Sequence, residues 1–257
     1  MKIGPQAHRT SAISTSSHAT VVVRGHDLAG ELIGNINFTD YFWLLLTGAV
    51  PSAAQRRVLD ATLVAIAEHG LVPSVQASRM TLAAAPEALQ GAVAAGLLGL
   101  GDRYGGSVEG VARMLQEAGG EDEPSVSARG IVDAHRKRKQ PVPGLGHPIH
   151  KPIDPRVPRL FAIAADNGLS GWYVHLMEAV ADEAGRAYNR GLPVNATGAI
   201  GAILSELGMP WRVTRGVAVM ARAIGLVAHL QEELEEPLAN EIWTRVEEES
   251  SEHNRPH

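Results

Sequence analysis

The chain has 257 residues, a formal net charge of −5, 45% apolar but only 4% aromatic residues, and no cysteine. Its length supports a substantial aliphatic core and its Ala/Leu-rich composition favours helix over strand. The acidity leaves no footprint for nucleic acid, and the missing cysteines exclude disulfides, thiolate nucleophiles and thiolate metal sites.

Residues 1–17 contain no apolar core of signal-peptide length. The most hydrophobic segment, 216–230, is short for a bilayer and carries Arg222 and His229. A soluble cytoplasmic protein with no membrane partner is expected. Residues 1–20 are Ser/Thr/His-rich and read as loosely ordered, and 21–27 as a short strand or extended entry. Residues 38–46 read as a helix closed by Gly48, and Pro51 and Ser52 open the next, where Val58, Leu59, Leu63 and Ile66 recur at helical spacing. Residues 88–100 form an apolar helix ending in Gly99, Gly101, Gly105 and Gly106. Further helices are predicted over 108–118, 128–138, 157–167, 172–188, 197–207 and 215–234, with 247–257 frayed. No fixed repeat and no low-complexity linker appears, so the fold class is all-α.

The densest chemistry lies in residues 144–156, Gly-Leu-Gly-His-Pro-Ile-His-Lys-Pro-Ile-Asp-Pro-Arg. Glycines let backbone amides approach a ligand, and prolines stiffen the loop that follows. His147 can exchange a proton with a ligand oxygen near neutral pH, and Arg156 can clamp a carboxylate. The bland reading is a structural turn with solvated charges. Arg222 is flanked on every helical face by apolar residues, so it needs either an internal acid or an anionic ligand. His69, at a helix end before Gly70, faces a loop carbonyl or a ligand. Asn195 is a plausible N-cap. The glycines around Asp102, Arg103 and Tyr104 form a helix corner or a close-approach site. The basic run of residues 136–139 is a solvated helix end or a phosphate contact. His147 and His150, with His175 or His229, lack an acidic ligand nearby in a metalloenzyme pattern, so no metal is expected.

These motifs, in this order, resemble the citrate synthase superfamily over residues 24–243, and more closely its citryl-CoA lyase branch, which includes the C-terminal module of ATP citrate lyase. The resemblance rests on Arg24-Gly25-His26-Asp27 with Gly48 and Pro51, on Glu68-His69, on residues 101–106 (Gly-Asp-Arg-Tyr-Gly-Gly), on the 144–156 segment, and on residues 221–229, where Arg222 and His229 sit in an Ala-Arg helix. It implies a large helical dimerisation domain (1–106 plus 196–257) and a small helical domain (107–195) with a cleft between them. The implied activity is cleavage or formation of a carbon–carbon bond between an acetyl-CoA-type thioester and a 2-keto acid such as oxaloacetate. In that scheme His147, Asn195 and Tyr104 are catalytic and His69, Arg156 and Arg222 bind the keto acid or citrate. Gly144, Leu145, Gly146 and Lys151 bind coenzyme A, with 136–139 as further candidates. The implied assembly is a homodimer or higher homo-oligomer, its core on helices 88–100 and 215–230.

The chain departs from the family pattern in several places. Asn195 stands where the family carries its carboxylate base, Tyr104 where synthases carry a histidine, and Glu236 where they carry an arginine donated by the partner subunit. Pro148 stands where an arginine is common. The alternatives are therefore an enzyme with a different keto-acid acceptor, lacking one carboxylate, and a non-catalytic acyl-CoA-binding regulatory homologue.

Overall fold

In the computed structural model, residues 10–101, 107–120, 122–147 and 149–254 are described. The chain divides into two compact units, Met1–Asp60 and Ala61–His257. Both boundaries of the division implied by the family resemblance, after 106 and after 195, fall within the second unit.

The first unit opens with a small antiparallel sheet, β1 (Ser14–Ser16), β2 (Val21–Val23) and β3 (His26–Asp27), in that order. Its first strand comes from a segment whose composition reads as loosely ordered. Two tight turns make it. Ser17 and Thr20 close the first through Ser17 N–H to Thr20 O at 2.8 Å. Arg24 and Gly25, both at positive φ (49° and 88°), close the second, the backbone twist that suits a two-residue hairpin. Asp27 then caps a short π-helical turn, Leu28–Leu32. Helix α1 (Phe38–Thr47) starts at Asn37, whose side-chain oxygen accepts from Asp40 N, and stops at Gly48 with φ of 82°. Val23, Leu32 and Leu44 form this unit's core, and the Arg24 guanidinium donates to Leu45 O from Nε at 3.0 Å. Helix α2 (Ala53–Ala67) begins in a reciprocal cap: Ser52 N–H donates to Gln55 Oε1 at 2.9 Å, and Gln55 N–H to Ser52 Oγ at 3.2 Å.

The second unit is helical throughout its described residues. It contains α3 (Pro73–Ala84), α4 (Leu89–Leu98), α5 (Ser107–Glu117), α6 (Pro124–Lys137), α7 (Arg156–Asp166), α8 (Trp172–Tyr188), α9 (Ala196–Glu206), α10 (Trp211–Glu235) and α11 (Ala239–Ser251). Its central post is α9, in which Ala196 and every residue from Gly198 to Ser205 are buried. Around it pack α5, α7, α8 and α10, while α10 also lies on α3 and α4. The crossing of α5 and α9 depends on Gly201: a Cβ there would fall 2.6 Å from Val111 Cγ1 and 3.2 Å from Ala112 N.

Two helices escape the sequence pattern. The inner face of α3 mixes Ser74, Ser78 and a fully buried Arg79 with Val75 and Leu82, so apolar periodicity does not mark it. Residues 239–251, whose last five read as frayed, form α11, because the buried Glu233 carboxylate accepts from Leu238 N (3.0 Å) and Ala239 N (2.9 Å) and so caps its start. Helix α10, at 25 residues, is the one described helix long and apolar enough to cross a membrane by length and composition. Thr214, Val217, Ala218, Ala221, Arg222, Gly225, Leu226 and Leu230 are buried along it. Replacing Gly201 by Ala should push α5 from α9 and lower stability by about 1–3 kcal/mol, read as a lower midpoint in thermal unfolding.

Candidate active site

A cavity of about 720 Å³ opens in the second unit, lined by His69, Gly144, Leu145, Gly146, His147, Arg156, Asn195 and Arg222 among others. Of the sequence-predicted residues, His69, Gly144, Leu145, Gly146, His147, Arg156, Asn195 and Arg222 converge here. Lys151 is exposed and does not line the cavity, nor do the exposed residues 136–139. Tyr104 lies outside the described residues, as does Pro148.

The glycine loop is bolted to the start of α9. Gly146 N–H donates to Pro193 O at 2.8 Å, Asn195 N–H to Gly144 O at 2.9 Å, and Leu145 bridges Val194. The approach is close: at Gly144, with φ of 83°, a Cβ would lie 2.7 Å from Gly198 Cα. Asn195 joins both sides of this junction. Its Oδ1 accepts from Gly198 N (3.1 Å) and Thr197 Oγ1 (2.8 Å), and its Nδ2 donates to Gly146 O at 2.6 Å. The N-cap reading of Asn195 therefore describes half of what it does.

His147 is held by the turn that follows it. Its Nδ1 accepts from Ile149 N at 3.1 Å and His150 N at 3.0 Å. A ring nitrogen that accepts carries no proton, so the neutral imidazole has its hydrogen on Nε2. Desolvation, then the neighbouring His150, lower its pKa despite the opposing pull of Asp154, with Arg156 and His69 adding to the fall. His147 is thus built as a neutral hydrogen-bond donor. His69 and His150 complete a cluster. Their Nε2 atoms are 3.2 Å apart, and the His147 and His150 rings stack at 4.4 Å between centroids. Burial, then Arg156, His150 and Arg222, lower the pKa of His69 against the pull of Asp154.

The two arginines differ. Arg156 is bound side-on by Asp154, Nε to Oδ1 at 3.0 Å and Nη2 to Oδ2 at 2.8 Å, and Asp154 also accepts from Arg156 N and from Ala196 N. Burial would raise the Asp154 pKa, but these donors and the Arg156 charge hold it down, to about 2. Asp154 thereby ties the starts of α7 and α9 together. It stands in the Asp-Pro-Arg run of the sequence, and that adjacency was the available signal. Arg222 is 4% exposed, and among the described residues its Nε and Nη1 have no hydrogen-bond partner. Desolvation, offset by Glu68 and reinforced by Arg156, lowers its pKa.

The nitrogens of His69, His147 and His150 lie within 4.8 Å of one another, close enough to ligate a metal ion. The donor chemistry opposes it. A metal on His147 Nε2 would require the proton on Nδ1, where two backbone N–H groups already point. Arg156 and Arg222 line the same cavity. This set of groups suits an anion carrying an acceptor oxygen.

Asp154→Asn should remove the charge that neutralises Arg156. A carboxyl whose pKa drops from 3.8 to about 2 on folding stabilises the protein fully above pH 4. That contribution fades as pH falls towards 2. The variant should therefore be less stable by about 2–3 kcal/mol at pH 6, with the gap closing between pH 4 and pH 2 in denaturant titrations.

Comparison with known proteins places this site in context. The family described as "Citrate synthase, C-terminal domain" matches residues 36–244. The solved citryl-CoA lyase from Hydrogenobacter thermophilus superposes with a TM-score of 0.81 at 35% identity, covering 89% of this chain and 88% of that one. ATP citrate lyase from Methanothrix soehngenii, solved with citrate and coenzyme A, shares the fold at a TM-score of 0.75 and 22% identity, over 91% of this chain and 40% of that one. A citrate synthase from Deinococcus radiodurans is 28% identical over 247 residues, 90% of this chain and 63% of the relative's length. The motifs, the helical fold and these matches agree: the chain belongs to the citrate synthase family.

Proposed function

We propose that the protein is a citryl-CoA lyase, cleaving a citryl-CoA-type 3-hydroxyacyl-CoA into an acetyl-CoA-type thioester and a 2-keto acid such as oxaloacetate. The observation that carries this reading is a buried guanidinium, Arg222, whose Nε and Nη1 have no partner among the described residues, in the same cavity as the Nε2–H of His147. Arg222 holds a carboxylate of the substrate, and Arg156, fixed by Asp154, and His69 complete the anion site. His147 Nε2–H donates to the oxygen that is hydroxyl in the substrate and ketone in the product. In cleavage the hydroxyl gives its proton to a water molecule as its carbon becomes the ketone, and the electrons of the carbon–carbon bond pass to the thioester as an enolate. That enolate carbon then takes a proton from water. Fixed donors aimed at an oxygen that gains charge account for large rate effects.

Asn195 is a positioning group in this scheme. Its amide has no basic atom and bonds Gly146, Thr197 and Gly198, so it neither takes a proton from a thioester methyl group nor returns one to the enolate carbon. Gly144, Leu145 and Gly146 flank the thioester arm of coenzyme A. On this reading the division into 1–106 plus 196–257 and 107–195 marks two domains that close on the substrate in a cytoplasmic enzyme.

The test is incubation with citryl-CoA, expected to yield acetyl-CoA and oxaloacetate, beside acetyl-CoA plus oxaloacetate, expected to form citryl-CoA slowly. Arg222→Gln should lower kcat/KM for cleavage by about 10²–10³. Tight binding of acyl-CoA with no turnover in either direction would replace this reading by a regulatory, non-catalytic one.

We further propose a homodimer. Leu98 on α4 is 85% exposed, and Ile224 and Val227 on α10 are 56% and 48% exposed. Apolar groups on two adjacent helices suit a covered face. Light scattering should give twice the chain mass for the native protein and the chain mass for Ile224→Glu.

A further inference from the structure

A second set of charged groups lies behind His69 and is used by nothing above. Arg79 on α3 is fully buried. Its Nη1 donates to Glu233 Oε2 at 2.8 Å, its Nη2 to Glu232, and the same Nη2 to His229 Nδ1 at 2.9 Å. A guanidinium only donates, so His229 Nδ1 presents its lone pair and the ring hydrogen sits on Nε2. That Nε2 lies 3.0 Å from Glu68 Oε1, at an oblique angle. The Glu68 carboxylate in turn accepts from His69 N at 2.8 Å and from Gly70 N. Burial would raise the Glu68 pKa, yet His229 and the Gly70 amide outweigh it and hold the group ionised.

The chain of contacts therefore runs Arg79, His229, Glu68, and ends on the backbone of the residue that enters the cavity. Packing at the same place leaves no slack. A Cβ on Gly225 would fall 2.2 Å from Ala67 O and 3.0 Å from Glu68 Oε2, so α10 presses directly against this turn.

We infer that Arg79 and His229 are positioning residues that act through the Glu68 carboxylate to fix the turn carrying His69. The catalytic consequence rests on the proposed function, in which His69 contacts substrate; the structural one does not. Arg79 sets the tautomer of His229, His229 keeps its Nε2 at ion-pair distance from the Glu68 carboxylate, and Glu68 clamps two consecutive amides. Displacement of a substrate-contacting group by about 1 Å costs about 10²-fold in rate.

The experiment pairs His229→Leu with His229→Gln, whose amide restores the donor towards Glu68, and with Glu68→Ala at a half-exposed position that should fold. Amide exchange at His69 and Gly70 is followed by NMR, together with kcat and KM for citryl-CoA and the Kd of free coenzyme A. The expected result is faster exchange of both amides in His229→Leu and Glu68→Ala, kcat/KM lower by about 10²-fold, unchanged coenzyme A binding, and recovery in His229→Gln. The His229→Leu/Glu68→Ala double variant should lose no more than the worse single one. Unchanged exchange at His69 and Gly70 in His229→Leu would overturn the inference, as would a loss of coenzyme A binding in parallel with activity. Should the native protein prove inert towards citryl-CoA while the amides loosen as expected, the positioning role stands and the proposed function falls.

Discussion

A guanidinium removed from water is the constraint around which the second unit is organised. Arg222 sits in the middle of α10, buried, with two of its donor atoms unpartnered among the described residues. Leaving charged donors unsatisfied in a protein interior costs several kcal/mol, so the fold tolerates Arg222 only where an anion can reach it. Everything near it follows the same logic. Arg156 has its own carboxylate, Arg79 has two, and among the described residues Arg222 alone of the three has none bonded to it. The cavity is accordingly lined to suit an anion, with positive charge from the arginines and a hydrogen-bond donor from His147.

The protein invests heavily in fixing those groups. Asp154 accepts four hydrogen bonds from Arg156 and Ala196. Asn195 ties the glycine loop to α9, and Glu68 clamps the turn after α2. Each is a polar side chain satisfied by backbone amides, the arrangement that keeps a site in place without ligand. The cost of this rigidity is that Asn195 and Asp154 are occupied as scaffold and are not free to exchange protons.

How much of this the sequence disclosed depended on whether a residue's role was local. The helical class and the ends of α8 could be read from periodicity, and Arg222 from its apolar surroundings. The convergence of His69, His147, Arg156, Asn195 and Arg222 was legible only through motif order. Arg79 was invisible, because a charged residue on a short, Ser-rich segment looks solvated until its partners, 153 and 154 residues away, are known. Helix α11 was missed for the same reason: its cap is a carboxylate from the preceding helix. Of the three strands, only that at 14–16 was unreadable, because a tight turn and no alternating pattern creates it; 21–27 read as a strand or an extended entry.

The occupied Nδ1 of His147 has a consequence for proton traffic. An imidazole with both nitrogens accessible can pass a proton through its ring, taking it on one edge and releasing it from the other. Here the far edge is sealed by two peptide amides, so the ring is a dead end. Under the proposed function, any hydrogen that His147 gives to the reacting oxygen returns by the same face.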